Sequence, residues 1–179
     1  MHHGVKLILG PMFAGKSTCL LAEERKSKIA KKKVVCVKHA FDTRYTSGTE
    51  IATHNKEYSS APSYASHSLL AIVELLSLYD VILIDEGQFF SDLVEGIQAL
   101  LAQQKYIVIA ALASDYKRES FRPIAELIPK ADQIIHLCAI CPQCGNDAPF
   151  TSRIVHTTED QTLVGGSDIY EPRCRDCFV

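Results

Sequence analysis

The chain of 179 residues contains no run of about 18 apolar residues, so no membrane-spanning helix is expected. It also lacks an excess of basic charge: a formal net charge of −2 offers no broad cationic surface for a nucleic-acid duplex. Internal repeats and low-complexity tracts are absent. Hydrophobic residues at 47% and charged residues at 22% are ordinary globular usage, which excludes global disorder. The amino end, MHHGVKLILG, has no cleavable-signal pattern, because its apolar stretch runs into a glycine-rich loop; His2 and His3 are given no function. Neither a membrane nor a nucleic acid is therefore expected as a partner. A chain of this length holds one full domain plus a small appendage and can bury roughly 70% of its unfolded surface.

The seven cysteines are unevenly placed. Cys19, Cys36 and Cys138 read as small apolar residues on helix or strand faces. Cys141, Cys144, Cys174 and Cys177 form two CxxC pairs, the pattern of a tetrahedral Cys₄ zinc ribbon. A reducing compartment and a structural Zn²⁺ fit better than a disulfide framework, and a redox-active CxxC lacks its thioredoxin-like context. A module of about 40 residues would scarcely hold together without such a metal.

Upstream, Val5–Leu9, Lys33–Lys38, Asp80–Asp85 and Tyr106–Leu112 are short continuous apolar runs, with Gln133–Leu137 as a fifth. Continuous rather than alternating runs suit strands covered on both faces. Segments with helical spacing separate them: Ser17–Ala30, Ser66–Leu78 and Leu93–Gln103. The reading is an α/β fold, a P-loop (RecA-like), mainly parallel sheet flanked by helices, with a small C-terminal zinc-ribbon/lasso domain. The core is expected over residues 1–137 and the zinc-binding module over 138–179. The polar, turn-rich stretch from Phe41 to Ser60 reads as a long loop, a type that is often functional.

GPMFAGKS, comprising Gly10, Pro11, Met12, Phe13, Ala14, Gly15, Lys16 and Ser17, fits G-x-x-x-x-G-K-S/T between a strand and a helix. Backbone N–H groups of such a loop cradle phosphate oxygens, Lys16 adds a charge near the β and γ phosphates, and the Ser17 hydroxyl can hold Mg²⁺. A glycine turn with a chance lysine is the bland alternative. The apolar run Ile82–Ile84 leads into adjacent acids. Asp85, at the strand tip, suits Mg²⁺, with helix capping as its alternative. Glu86 suits a general base acting on water or on a substrate hydroxyl, and the two acids alone do not separate those attackers. Phe90 reads as core.

LGPMFAGKST, DTRY, IDEGQFF, the paired CxxC motifs and VGGSDIY…CRDC together resemble the type II thymidine kinases, from Val5 to Phe178. The resemblance implies transfer of the ATP γ-phosphate to the 5′-hydroxyl of thymidine or deoxyuridine. It makes Glu86 the catalytic base, places Asp42 and Arg44 near the Mg²⁺–phosphate site, and puts Asp85 and Gln88 in a second phosphate-proximal motif. Met12, Phe89, Leu112, Tyr116, Phe121, Thr151 and Tyr170 match nucleoside-pocket positions. The backbone of Gln161, Thr162, Leu163, Val164 and Gly165 matches a lasso that hydrogen-bonds the base. A homotetramer, a cytoplasmic location and dTTP as a candidate feedback ligand come with the same resemblance. From the residues alone, the Gly165–Gly166 pair reads equally as a close approach to a flat ligand or as a flexible turn.

One departure stands out. Ala113 occupies a position where the family usually has aspartate, so either Asp115 substitutes locally or the loop bonds differently. Tyr116 adds a hydroxyl that needs a partner if buried. The competing function is a P-loop ATPase with a nucleic-acid-binding zinc ribbon, supported by the basic run Lys26–Lys33. That run also suits the solvated carboxyl end of the first helix. A catalytically silent nucleotide sensor is a third reading, opposed by the intact set Lys16, Ser17, Asp85 and Glu86.

Overall fold

The computed structural model describes residues 3–41, 58–155, 163 and 165–178. Six parallel strands form the main sheet: β1 (Gly4–Gly10), β2 (Val34–His39), β3 (Ser63–Ser66), β4 (Val81–Asp85), β5 (Tyr106–Leu112) and β6 (Gln133–His136). Their spatial order is β3-β2-β4-β5-β1-β6, with parallel pairing at each of the five junctions. The four central strands are the apolar runs read from the sequence, and β1, β2 and β4 are buried along their whole length. The edges differ. Gln133–His136, the last strand in the sheet order, is largely exposed rather than covered on both faces.

Alternation within each buried strand sorts its side chains to two faces. Leu7, Leu9, Val35, Val37, Ile82, Ile84, Ile107 and Ile109 face a cluster that includes Phe90, Leu93, Ile97 and Ile124. Those partners lie on or beside α3 (Leu93–Ala102) and α4 (Arg122–Leu127). Ile8, Val34, Cys36, Leu83, Val108 and Ala110 face Leu20 and Leu21 of α1 (Lys16–Ile29). Each of these buried valines, leucines and isoleucines contributes about 1.5–3 kcal/mol relative to exposure. No helix among the described residues is long and apolar enough to cross a membrane.

The helix expected over Ser66–Leu78 is not formed as one element. Ser63–Ser66 is edge strand β3, followed by a 3₁₀ turn at Leu70–Ile72 and the single-turn α2 (Val73–Leu76). The cause is tertiary: Asp92 accepts hydrogen bonds from the Ser68 hydroxyl and from the Leu69 and Leu70 N–H groups. This cap starts the turn late and drives Leu69 against Gly96, where a Cβ would come within 2.7 Å of the leucine. Cys138 is also corrected. It is exposed in the link after β6 rather than packed on an element face.

Past the sheet, two small antiparallel ribbons follow: β7 (Ala139–Ile140) with β8 (Asp147–Ala148), and β9 (Phe150–Arg153) with β10 (Tyr170–Arg173). Ala139, Cys141, Ala148 and Cys174 form their own small buried cluster, and Ala14 of the glycine-rich loop packs against it.

Candidate active site

The carboxyl ends of β1, β4 and β5 and the ribbon β9–β10 supply the groups of one site. Gly10 ends β1 where a Cβ would lie 2.7 Å from the Leu137 carbonyl, so only glycine fits the approach to the chain leaving β6. Gly15 takes a left-handed φ of 80° and starts α1 with no side-chain cap and no acid in the first turn. The start of α1 presents backbone N–H groups at the helix end that favours anions. Lys16 is buried and donates to the Pro11 carbonyl at 2.7 Å, holding its ammonium over the loop. Phe13, with φ 65°, stands exposed at the loop tip. The Met12 N–H donates to Thr151 Oγ1 at 3.0 Å, tying the loop to β9.

Ser17 Oγ donates to Asp85 Oδ2 at 2.9 Å, bringing together two residues 68 positions apart. A hydroxyl and a carboxylate oxygen in contact are the hard-oxygen pair that Mg²⁺ accepts. Asp85 ends β4, buried, and its Oδ1 accepts the Glu86 N–H at 3.1 Å. Glu86 then adopts φ 53° and ψ 43°. This left-handed turn, sparsely populated for a non-glycine residue, lets adjacent acids serve different neighbours. Glu86 Oε2 accepts from Gln88 Nε2 at 2.5 Å, and Gln88 Oε1 accepts the Leu112 N–H at 3.1 Å. The Leu112 N–H must donate, so Gln88 is oriented with its amide group toward the carboxylate. Gly87 is required here, since a Cβ would meet Ile109 at 2.5 Å.

Phe90 is fully buried in the core cluster, as expected. Phe89 is half-buried, 5.9 Å from the His39 ring, while His39 meets Phe90 edge-on at 4.8 Å. After β5, Ala113 donates its N–H to the Gly10 carbonyl at 3.3 Å. Asp115 is buried, and its Oδ1 accepts the N–H groups of Lys117 and Glu119, both at 2.8 Å, shaping the turn that carries Tyr116. Tyr116 is half-buried, with the Arg153 guanidinium 3.8 Å from its ring centre. Phe121 is buried in the core and precedes α4.

Within the lasso positions, Leu163 binds the Tyr170 hydroxyl through both its N–H (3.2 Å) and its carbonyl (2.8 Å). Gly165 is needed by the protein itself, since a Cβ there would meet Ile169 at 2.2 Å. Asp42, Arg44, Gln161, Thr162 and Val164 lie outside the described residues. Arg153 was not picked out from the sequence, although it sits two positions after Thr151, on the same face of a strand. Of the basic run Lys26–Lys33, Lys26 and Lys28 lie in the last turn of α1, and Lys31, Lys32 and Lys33 are exposed in the turn beyond it. Lys26 pairs with Glu23 at 2.9 Å and Lys28 with Glu24 at 2.6 Å.

Cys141, Cys144, Cys174 and Cys177 bring their sulfurs within 4.8 Å of one another. All four are free thiols, and four thiolates at that spacing match the donor set of a closed Zn²⁺ site. Their acidities are split. Backbone donation from Cys174, Gln143 and Cys144 lowers Cys141 to about 6, whereas hydrogen bonding to Cys174 and burial push Cys177 up to about 12. A bound divalent ion would remove this split by deprotonating the set.

Comparison with known proteins places this geometry in a family. The thymidine kinase family profile matches residues 3–178. The thymidine kinase of raccoon poxvirus is 39% identical over 175 residues, covering 98% of this chain and 96% of the viral one. Those of vaccinia virus (strain Ankara) and monkeypox virus are each 38% identical at the same coverage. Among solved structures, the flagellar accessory protein FlaH from Methanocaldococcus jannaschii superposes with a TM-score of 0.54 over 88% of this chain and 75% of that one; at 15% identity it bears on the fold alone. The chain belongs to the thymidine kinase family, bearing out the resemblance read from its motifs.

Proposed function

We propose that the protein transfers the γ-phosphate of ATP to the 5′-hydroxyl of thymidine, with deoxyuridine as the related acceptor. Family membership supports this over a nucleic-acid-dependent ATPase. The glycine-rich loop and Lys16 hold the triphosphate, and Ser17 and Asp85 hold Mg²⁺, which when bound neutralises charge on the phosphates. Glu86 takes the proton from the 5′-oxygen as that oxygen bonds to the γ-phosphorus and the bond to the β–γ bridging oxygen breaks, releasing ADP. The observation that carries this assignment is the left-handed turn at Glu86. It separates Glu86, held by Gln88, from Asp85, held by Ser17.

On this reading Met12, Phe89, Leu112, Tyr116, Thr151, Tyr170 and the Gln161–Gly165 backbone surround the nucleoside, with Phe121 supporting them from the core. Asp42 and Arg44 approach the metal–phosphate site. Residues 1–137 form the kinase core, and 138–179 form a module held by Zn²⁺ on its four cysteines. Excluding water favours transfer to a sugar over hydrolysis, and a module closing over the base serves that purpose. A cytoplasmic homotetramer with dTTP as a feedback ligand completes the proposal.

The test is incubation with γ-labelled ATP, Mg²⁺ and a panel of nucleosides, run beside an ATPase assay with and without nucleic acid. Label on thymidine and deoxyuridine is the expected result. Hydrolysis stimulated by nucleic acid, with no nucleoside labelled, would overturn it.

A further inference from the structure

The strand β9 carries two buried side chains on one face, Thr151 and Arg153. Thr151 takes the Met12 N–H and so reads the position of the phosphate loop. Arg153 makes the other connections. It lies directly opposite Tyr170 in the β9–β10 ladder, and its Nη2 donates to the Tyr170 hydroxyl at 3.0 Å. Its guanidinium also lies 3.8 Å from the centre of the Tyr116 ring, in the turn that follows β5. Arginine at such a distance is attracted by the ring's negative face, and more strongly when water is excluded.

The Tyr170 hydroxyl is a saturated hub. It accepts from Arg153 and from the Leu163 N–H, and donates to the Leu163 carbonyl. One donor and two acceptor positions are all that a phenol offers. Arg153 spends the acceptor position that leaves the hydroxyl hydrogen directed at Leu163, and its other face is fixed by Tyr116. Tyr116 in turn sits on the turn shaped by Asp115.

We infer that Arg153 is a positioning residue for the acceptor nucleoside: it fixes Tyr170, and through it Leu163, relative to the turn after β5. The inference rests on the reading that Leu163 and Gly165 face the nucleoside. The contacts of Arg153 with Tyr170 and Tyr116 lie on the acceptor side of the site, so its loss is expected to act there. A planar guanidinium is needed, because only it can stack on Tyr116 while donating edgewise to Tyr170.

The test is steady-state kinetics of Arg153→Met, Arg153→Lys, Tyr170→Phe and Arg153→Met/Tyr170→Phe, with zinc content measured on each. Arg153→Met is expected to raise the thymidine KM roughly 10–100-fold, the weight of a charged hydrogen bond plus a buried stack, with the ATP KM within about twofold. Arg153→Lys, which keeps the charge without the plane, falls between wild type and Arg153→Met. The double variant exceeds the worse single by no more than about threefold, because both act through one hydroxyl. If Tyr170→Phe raises the thymidine KM and Arg153→Met does not, the role of Arg153 is overturned while the nucleoside reading stands. If neither moves it, both fall. A parallel rise in the KM of ATP with loss of zinc from Arg153→Met and Arg153→Lys alike would make Arg153 a folding residue and overturn the inference.

Discussion

Ser17 and Asp85, from the first helix turn and the end of β4, meet at 2.9 Å. The sheet brings them together although β5 lies between the strands that lead to them. If this pair holds Mg²⁺, Ser17→Ala and Asp85→Asn should each raise the Mg²⁺ concentration needed for half-maximal turnover. About 10–100-fold is expected for Ser17→Ala, and at least that for Asp85→Asn. Titrating Mg²⁺ at saturating ATP checks this, and an unchanged requirement in Asp85→Asn would remove it from the metal.

Phe90 is the largest fully buried side chain, packed against both the core cluster and the edge of His39. Phe90→Ala should reduce unfolding free energy by about 3–5 kcal/mol, the usual effect of removing a buried aromatic ring. Urea denaturation measures this directly. A loss below about 1 kcal/mol would mean the site collapses around the gap or that Phe90 packs elsewhere.

The cysteine module provides a third prediction. Chelating Zn²⁺, or replacing Cys174 with serine, should abolish thymidine phosphorylation and lower the melting temperature, because about 10–16 kcal/mol of metal binding free energy supports such sites. Atomic absorption should give one zinc per chain before treatment. Full activity in metal-free protein would contradict a structural role.

Acid should weaken the packing of α1. Burial pushes the Glu24 carboxyl up, but hydrogen bonds from Lys28, Ser59 and Ser60 outweigh it and hold it below its ordinary value of 4.5. A carboxyl depressed in the folded state adds stability above its unfolded pKa and loses it as pH falls through the folded one. Glu24→Gln should therefore melt below wild type at pH 7, with the gap closing as pH drops from about 4.5. A gap constant between pH 7 and 3 would deny Glu24 this role.

The features legible in the sequence were those fixed by local spacing. The strand–loop–helix around Gly10–Ser17, the four central strands and the paired cysteines each carry their signal within a few residues. What was missed depends on distant partners. Helical spacing after Ser66 gave way to a turn capped by Asp92, more than twenty residues on. The part Asp115 plays in its turn was equally hidden, because it depends on the backbone N–H groups of Lys117 and Glu119 that the fold brings to its carboxylate. Arg153 carried no motif at all, and its importance lies in what Tyr116 and Tyr170 bring to it from either side.

The central claim is that Glu86 removes the proton from the acceptor hydroxyl. Its most direct test is a rapid-quench single turnover of Glu86→Gln with Mg²⁺–ATP and thymidine, beside equilibrium binding of each. Transfer should slow by about 10²–10⁴-fold while ATP affinity stays nearly unchanged. Transfer within about threefold of wild type would contradict the claim and return the role to another group.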